Sequence, residues 1–119
     1  MPLSDEVKSL LGVLNDGFPR VEQMTGAEAR AAVLARKQVA ADPEPMASVE
    51  NIEIDGPGGP LPLRVYQPLD ASTAGARPAV VFAHGGGFVF CDLDTHDELC
   101  RAMSNAVGAV VISVDYRLA

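Results

Sequence analysis

With 119 residues and 12.5 kDa, the chain has room for one small domain and not two. Its 9 Lys and Arg against 16 Asp and Glu leave a formal charge of −7, which argues against nucleic acid and anionic membrane as partners. Hydrophobic residues at 48% with 21% charged mark a core-forming chain, and two cysteines are too few for a disulfide scaffold.

The start, Met1-Pro2-Leu3-Ser4-Asp5-Glu6, is acidic where a signal peptide would be basic. Leu10-Leu11-Gly12-Val13-Leu14 is too short to span a bilayer. A cytoplasmic protein with reduced thiols is the expectation. Leu3, Val7, Leu10, Leu11 and Leu14 share one face at helical spacing, with Ser4 as the cap and Gly17-Phe18-Pro19 as the stop. A second helix is predicted over residues 27–41, opened by a Thr25/Glu28 capping box. Asp42-Pro43-Glu44-Pro45 then breaks the helical pattern.

From Ser48 the period changes. Ile52 and Ile54 alternate with acids, the Gly56-Pro57-Gly58-Gly59-Pro60 segment turns the chain, and Leu63 and Val65 alternate again. This predicts an antiparallel hairpin near a sheet edge, and Pro62 and Pro68 fit only an edge or a strand end. Residues 78–83 and 109–112 are apolar without alternation, as in parallel strands covered on both faces. Between them a helix is predicted over residues 95–107. Thr95 and Glu98 have capping-box spacing, and Gly108 sits at the C-terminal glycine position. Leu99, Ala102, Met103, Ala106 and Val107 form its apolar stripe, and Cys100 is expected to face inward. Strand, glycine loop, helix, strand is a β-α-β unit, so the fold class is α/β.

The glycine loop, His84-Gly85-Gly86-Gly87-Phe88-Val89-Phe90, follows the first apolar strand, at the end where open α/β sheets bind ligands. No lysine follows it, so it is not a P-loop, and Phe90 stands where a dinucleotide fingerprint needs its third glycine. Asp92, Asp94 and Asp97 make poor surroundings for a phosphate. The remaining use for a row of free N–H groups is an oxyanion hole, where each donor is worth roughly 3–4 kcal/mol. A metal site is the rival chemistry. Cys91, His96 and Cys100 lack a paired fourth ligand, and an EF-hand begun at Asp92 would put Asp97 at the required glycine. No metal or cofactor is expected.

The HGGGF loop at residues 84–88, the segment Asp94-Thr95-His96-Asp97-Glu98-Leu99-Cys100-Arg101 and the ending Val114-Asp115-Tyr116-Arg117-Leu118-Ala119 resemble the hormone-sensitive-lipase-like esterases of the α/β-hydrolase fold. The resemblance runs from about residue 49 to 119 and more loosely over the first helices. It implies a helical cap segment over residues 1–45 and the first part of an α/β-hydrolase catalytic domain, with a mostly parallel sheet, over residues 46–119. It also implies that Gly86 and Gly87 donate the oxyanion N–H groups and that Gly85 and His84 shape the loop. Phe88 and Val89 would line the acyl pocket, with ordinary core packing as the competing role. Asp115, Tyr116 and Arg117 would tie loops together near the site by hydrogen bonds and ion pairs. The substrate would be a small carboxylic ester, and the complete protein could pair as a homodimer.

None of Ser4, Ser9, Ser48, Ser72, Ser104 and Ser113 stands in a G-x-S-x-G elbow, and the family's acid and base have no counterpart here. The expectation is therefore the N-terminal part of an esterase, inactive alone, with no triad residue in this chain. The competing reading is a degenerate hydrolase that acts only as a binding or complementing piece.

Overall fold

The structure is a computed structural model that describes residues 2–37, 40–70 and 76–119. Helix α1 spans Asp5–Gly17, with the Ser4 hydroxyl accepting the Val7 N–H. Helix α2 spans Gly26–Leu34 and is shorter than the predicted 27–41, though residues 38 and 39 lie outside those described. Its capping box is complete: the Thr25 hydroxyl accepts the Glu28 N–H, and Glu28 accepts the Thr25 N–H at 2.8 Å. Such a cap contributes about 1 kcal/mol and sets the first turn of α2.

Strands β1 (Ser48–Gly56) and β2 (Gly59–Gln67) form the predicted hairpin, closed by the Gly56–Gly59 pair around Pro57 and Gly58. Strands β3 (Ala79–Ala83) and β4 (Val110–Val114) pair in parallel, and β4 also pairs antiparallel with β2. The order is β1-β2-β4-β3. The hairpin lies at the sheet edge through β1, and Pro68 follows the end of β2, but β2 itself is an inner strand, which corrects the edge-or-end reading for Pro62 alone. Pro62 is tolerated because the β2–β4 ladder begins only at Leu63, and the Pro62 carbonyl still accepts the Asp115 N–H at 3.0 Å.

Helix α3 spans Asp97–Val107 and packs on one face of the sheet. Tyr66, Cys100 and Val111 are fully buried there, with Val49, Val80, Phe82 and Met103 packed around them. Two expectations about α3 are corrected. The Thr95/Glu98 box does not form. Thr95 instead closes a turn with Asp92, whose carboxylate accepts the Thr95 N–H at 2.8 Å while Thr95 Oγ1 accepts the Asp92 N–H at 2.9 Å. The buried face carries Cys100, Met103 and Ser104, while Leu99 and Val107 are exposed. The helical period is right and its phase is not. Ser104 is buried because its hydroxyl donates to the Ala109 carbonyl at 2.7 Å. Gly108 does close α3, at φ +63°. Gly108→Ala is expected to lower stability by about 1 kcal/mol in urea denaturation, the cost of a Cβ in the left-handed region.

Coverage of β3 and β4 is also corrected. Among the described residues only the α3 side is covered. Alternate residues point the other way, and Val81 is 70% exposed on β3, an edge strand. The apolar face of α1 is likewise open, with Leu10 58% and Leu14 56% exposed. The radius of gyration is 17.5 Å. A compact chain of this length would have about 13.5 Å. No helix among the described residues is long and apolar enough to cross a membrane.

Candidate active site

The parallel pairing of Ala83 with Val114 brings the next residues of both strands to one end of the sheet. There His84 is buried and stacked between two rings. Tyr116 lies 4.5 Å away, centroid to centroid, and His96 5.6 Å away. The Tyr116 hydroxyl donates to the His84 carbonyl at 2.5 Å. His84 Nδ1 is 2.9 Å from the Gly85 carbonyl, an acceptor, so the proton there sits on Nδ1. Nε2 has no hydrogen-bond partner among the described residues. Burial, and then the neighbouring His84, hold the His96 pKa below the usual histidine range.

The backbone of the loop is unusual at three successive residues. Gly86 has φ +141°, Gly87 +61° and Phe88 +60°. A Cβ on Gly86 would lie 1.9 Å from the Phe90 carbonyl oxygen, so only glycine fits. The Gly86 carbonyl turns back to accept the N–H groups of Val89 at 3.0 Å and Phe90 at 3.1 Å. Among the described residues, the N–H groups of Gly86 and Gly87 find no protein acceptor. The loop borders an open cleft of about 610 Å³ with largely apolar walls from Ala83, Phe88, Val114 and Tyr116.

The sequence-named residues divide between two places. His84, Gly85, Gly86, Gly87 and Phe88 all border the cleft. Val89 turns away from it, toward α2, where its Cγ1 lies 3.7 Å from the position a Cβ on Gly26 would take. Tyr116 and Arg117 border the cleft too, whereas Asp115 does not; all three line a second hollow against the hairpin turn, where Arg117 lies beside Gly58. Burial and then the charge of Asp92 push the Asp115 carboxyl above its ordinary range. Of the three, Tyr116 makes the loop contact. No ion pair of Asp115 or Arg117 is present among the described residues. Ser113 is fully buried in β4 and does not border the cleft, and Ser72 lies outside the described residues.

The acids that follow the glycine loop are engaged in ion pairs and hydrogen bonds. Asp97 Oδ1 accepts from Arg64 Nη1 at 2.9 Å and from Tyr66 Oη at 2.8 Å, and Oδ2 accepts from Arg101 Nε at 2.6 Å. Asp94 pairs with Lys37 at 2.7 Å and with Arg64 at 2.8 Å. Cys100 lies against the sheet, and burial pushes its thiol pKa up. The network joins α3 to β2 just behind the loop. Its hub, Asp97, was legible only as one acid of an acidic run.

A family profile described as alpha/beta hydrolase fold matches residues 80–119. The chain is 42% identical over 106 residues to the esterase LipI of Mycobacterium tuberculosis, covering 89% of this chain and 30% of that one. It is 45% identical over 62 residues to the ethyl acetate hydrolase of Pseudomonas putida, covering 52% of this chain and 20% of that one. An ester-hydrolase from the metagenome of Lake Arreo, solved with a derivative of bipyridine phosphonate, superposes with a TM-score of 0.82 at 36% identity. That match covers 98% of this chain and 38% of the other. The chain belongs to the hormone-sensitive-lipase-like α/β-hydrolase esterase family. Its β-α-β unit, glycine loop and hairpin are the part of that fold present here. As a member of the family, the chain spans less than a third of the length of these two curated relatives.

Proposed function

We propose that this α/β-hydrolase segment supplies the oxyanion hole of a serine-dependent carboxylic ester hydrolase. The observation that carries the reading is the pair of Gly86 and Gly87 N–H groups, without acceptors among the described residues, beside an apolar cleft. Donors already held in place act on charge as it develops, because no reorganisation is needed at the moment of reaction. A serine hydroxyl attacks the ester carbonyl carbon and passes its proton to a histidine. The carbonyl oxygen becomes negative and is held by Gly86 and Gly87. Collapse expels the alcohol, which takes that proton, and water repeats the cycle on the acyl-enzyme. The serine, its acid and its histidine lie outside these 119 residues. Gly85 and His84 shape the loop, Phe88 meets the acyl group, and Val89 backs the wall against α2.

Residues 1–45 act as the cap and residues 46–119 as the start of the catalytic domain. The relative named for ethyl acetate supports a small acyl group here. A cytoplasmic location and a homodimer belong to the same reading.

On a chromogenic short-chain ester, the 119-residue chain is expected to show no turnover above background. A protein that carries this segment ahead of a G-x-S-x-G elbow is expected to turn the ester over. Failure of that longer protein overturns the reading. So does turnover by the short chain, whose loss in Ser113→Ala would make Ser113 the nucleophile.

A further inference from the structure

The strained part of the loop is held by residues that the catalytic reading does not use. Phe88 stands at φ +60°, a backbone region that costs a non-glycine residue about 1–2 kcal/mol. Such a conformation persists only where its surroundings over-determine it. Two contacts do so. The Phe88 carbonyl accepts the Ala119 N–H at 2.8 Å. Arg30 Nη1, which carries two hydrogens, donates to the Val89 carbonyl at 3.0 Å and to the Ala119 carbonyl at 2.8 Å. One guanidinium nitrogen therefore ties the glycine loop to the segment after β4, and ties both to α2. The first residue of α2 is in contact as well. A Cβ on Gly26 would lie 3.6 Å from Arg30 Nη1, 3.7 Å from Val89 Cγ1 and 3.9 Å from the Ala119 oxygen. The Thr25 capping box sets the turn from which Arg30 reaches.

We propose that Arg30 is a positioning residue that clamps the glycine loop to α2 and so keeps the Gly86 and Gly87 N–H groups aimed at the cleft. The proposal rests on the oxyanion reading of that loop. It gives α2 a second task beside covering the site, because the helix then sets the geometry of the donors.

Arg30→Met keeps the aliphatic stem and removes the donors, while Arg30→Lys keeps a charged donor on a shorter reach. Amide hydrogen exchange read residue by residue tests the clamp without any ester. In Arg30→Met, exchange at Val89, Phe90 and Ala119 is expected to speed up about tenfold, with α3 and β4 within about twofold of the parent. Arg30→Lys is expected to fall between the two. Unchanged exchange in Arg30→Met overturns the proposal. Acceleration spread equally over α3 and β4 also overturns it, since Arg30 would then be a general stabiliser. In the ester-hydrolysing protein, kcat is expected to fall about tenfold with KM within about twofold, and a rise in KM alone overturns the positioning role. Absence of any ester hydrolysis would sink the functional reading and leave the exchange result standing.

Discussion

Gly86→Ala is expected to lower ester hydrolysis about 10²–10³-fold in the protein that carries this segment, the loss seen when an oxyanion donor is removed. The new methyl group would lie 1.9 Å from the Phe90 carbonyl oxygen, which is backbone and cannot swing aside as a side chain can. It would also stand at φ +141°, where L-residues are strained. The turn must open, and the Val89 and Phe90 N–H groups lose their shared acceptor. Neighbouring glycines calibrate the result. Gly87 has φ +61° but open space around a Cβ, so Gly87→Ala carries only about 1–2 kcal/mol of backbone cost. Gly85 has open space and no positive φ, so Gly85→Ala is expected to be nearly neutral. Steady-state kinetics of the three variants on one ester check the order 86, then 87, then 85. Equal losses at all three would reduce the loop to a flexible turn.

Asp97→Ala is expected to destabilise the fold by about 2–4 kcal/mol in urea denaturation, the range for removing one member of a largely buried charged cluster. The carboxylate accepts from Arg64, Tyr66 and Arg101, and its side chain is 20% exposed. Its loss leaves Arg64 with Asp94 alone as a charged partner and Tyr66 Oη without its acceptor. Burial pushes the Asp97 pKa up, but the bonds from Arg101, Tyr66 and Arg64 outweigh it and hold the pKa below the ordinary carboxylate range. The folded state therefore binds this proton more weakly than the unfolded state. The stabilisation is complete above the unfolded pKa of about 3.9 and is lost as pH falls through the lower folded value. The parent is thus expected to lose stability below about pH 4, and Asp97→Ala to lose less over the same window. An identical acid profile in both would show that Asp97 is not the titrating hub.

Local chemistry was legible wherever one short segment decides the structure. Ser4 and Thr25 cap their helices, and Gly108 ends α3, because each acts on backbone groups within one turn of itself. The hairpin was legible because strand alternation meets a glycine- and proline-rich turn. Cys100 could be read as inward-facing, yet the stripe drawn beside it was out of phase. Hydrophobicity alone sets that phase in a sequence, and it treats Asp97 and Ser104 as surface. Their partners, Tyr66, Arg64 and the Ala109 carbonyl, lie 5 to 38 residues away. Once bonded they can be buried, and the helix turns to bury them.

The same division holds at the site. By itself the sequence determined that a glycine row follows an apolar strand in an α/β chain, that phosphate and dinucleotide chemistry do not fit it, and which family it resembles. Only the tertiary structure decided which glycine admits no side chain, that Val89 faces α2 while Phe88 faces the cleft, and that Arg30 reaches the loop from 59 residues away. Motifs record local backbone demands. The direction of a side chain, and the carbonyl that a distant guanidinium meets, depend on how strands and helices dock, which no local spacing encodes.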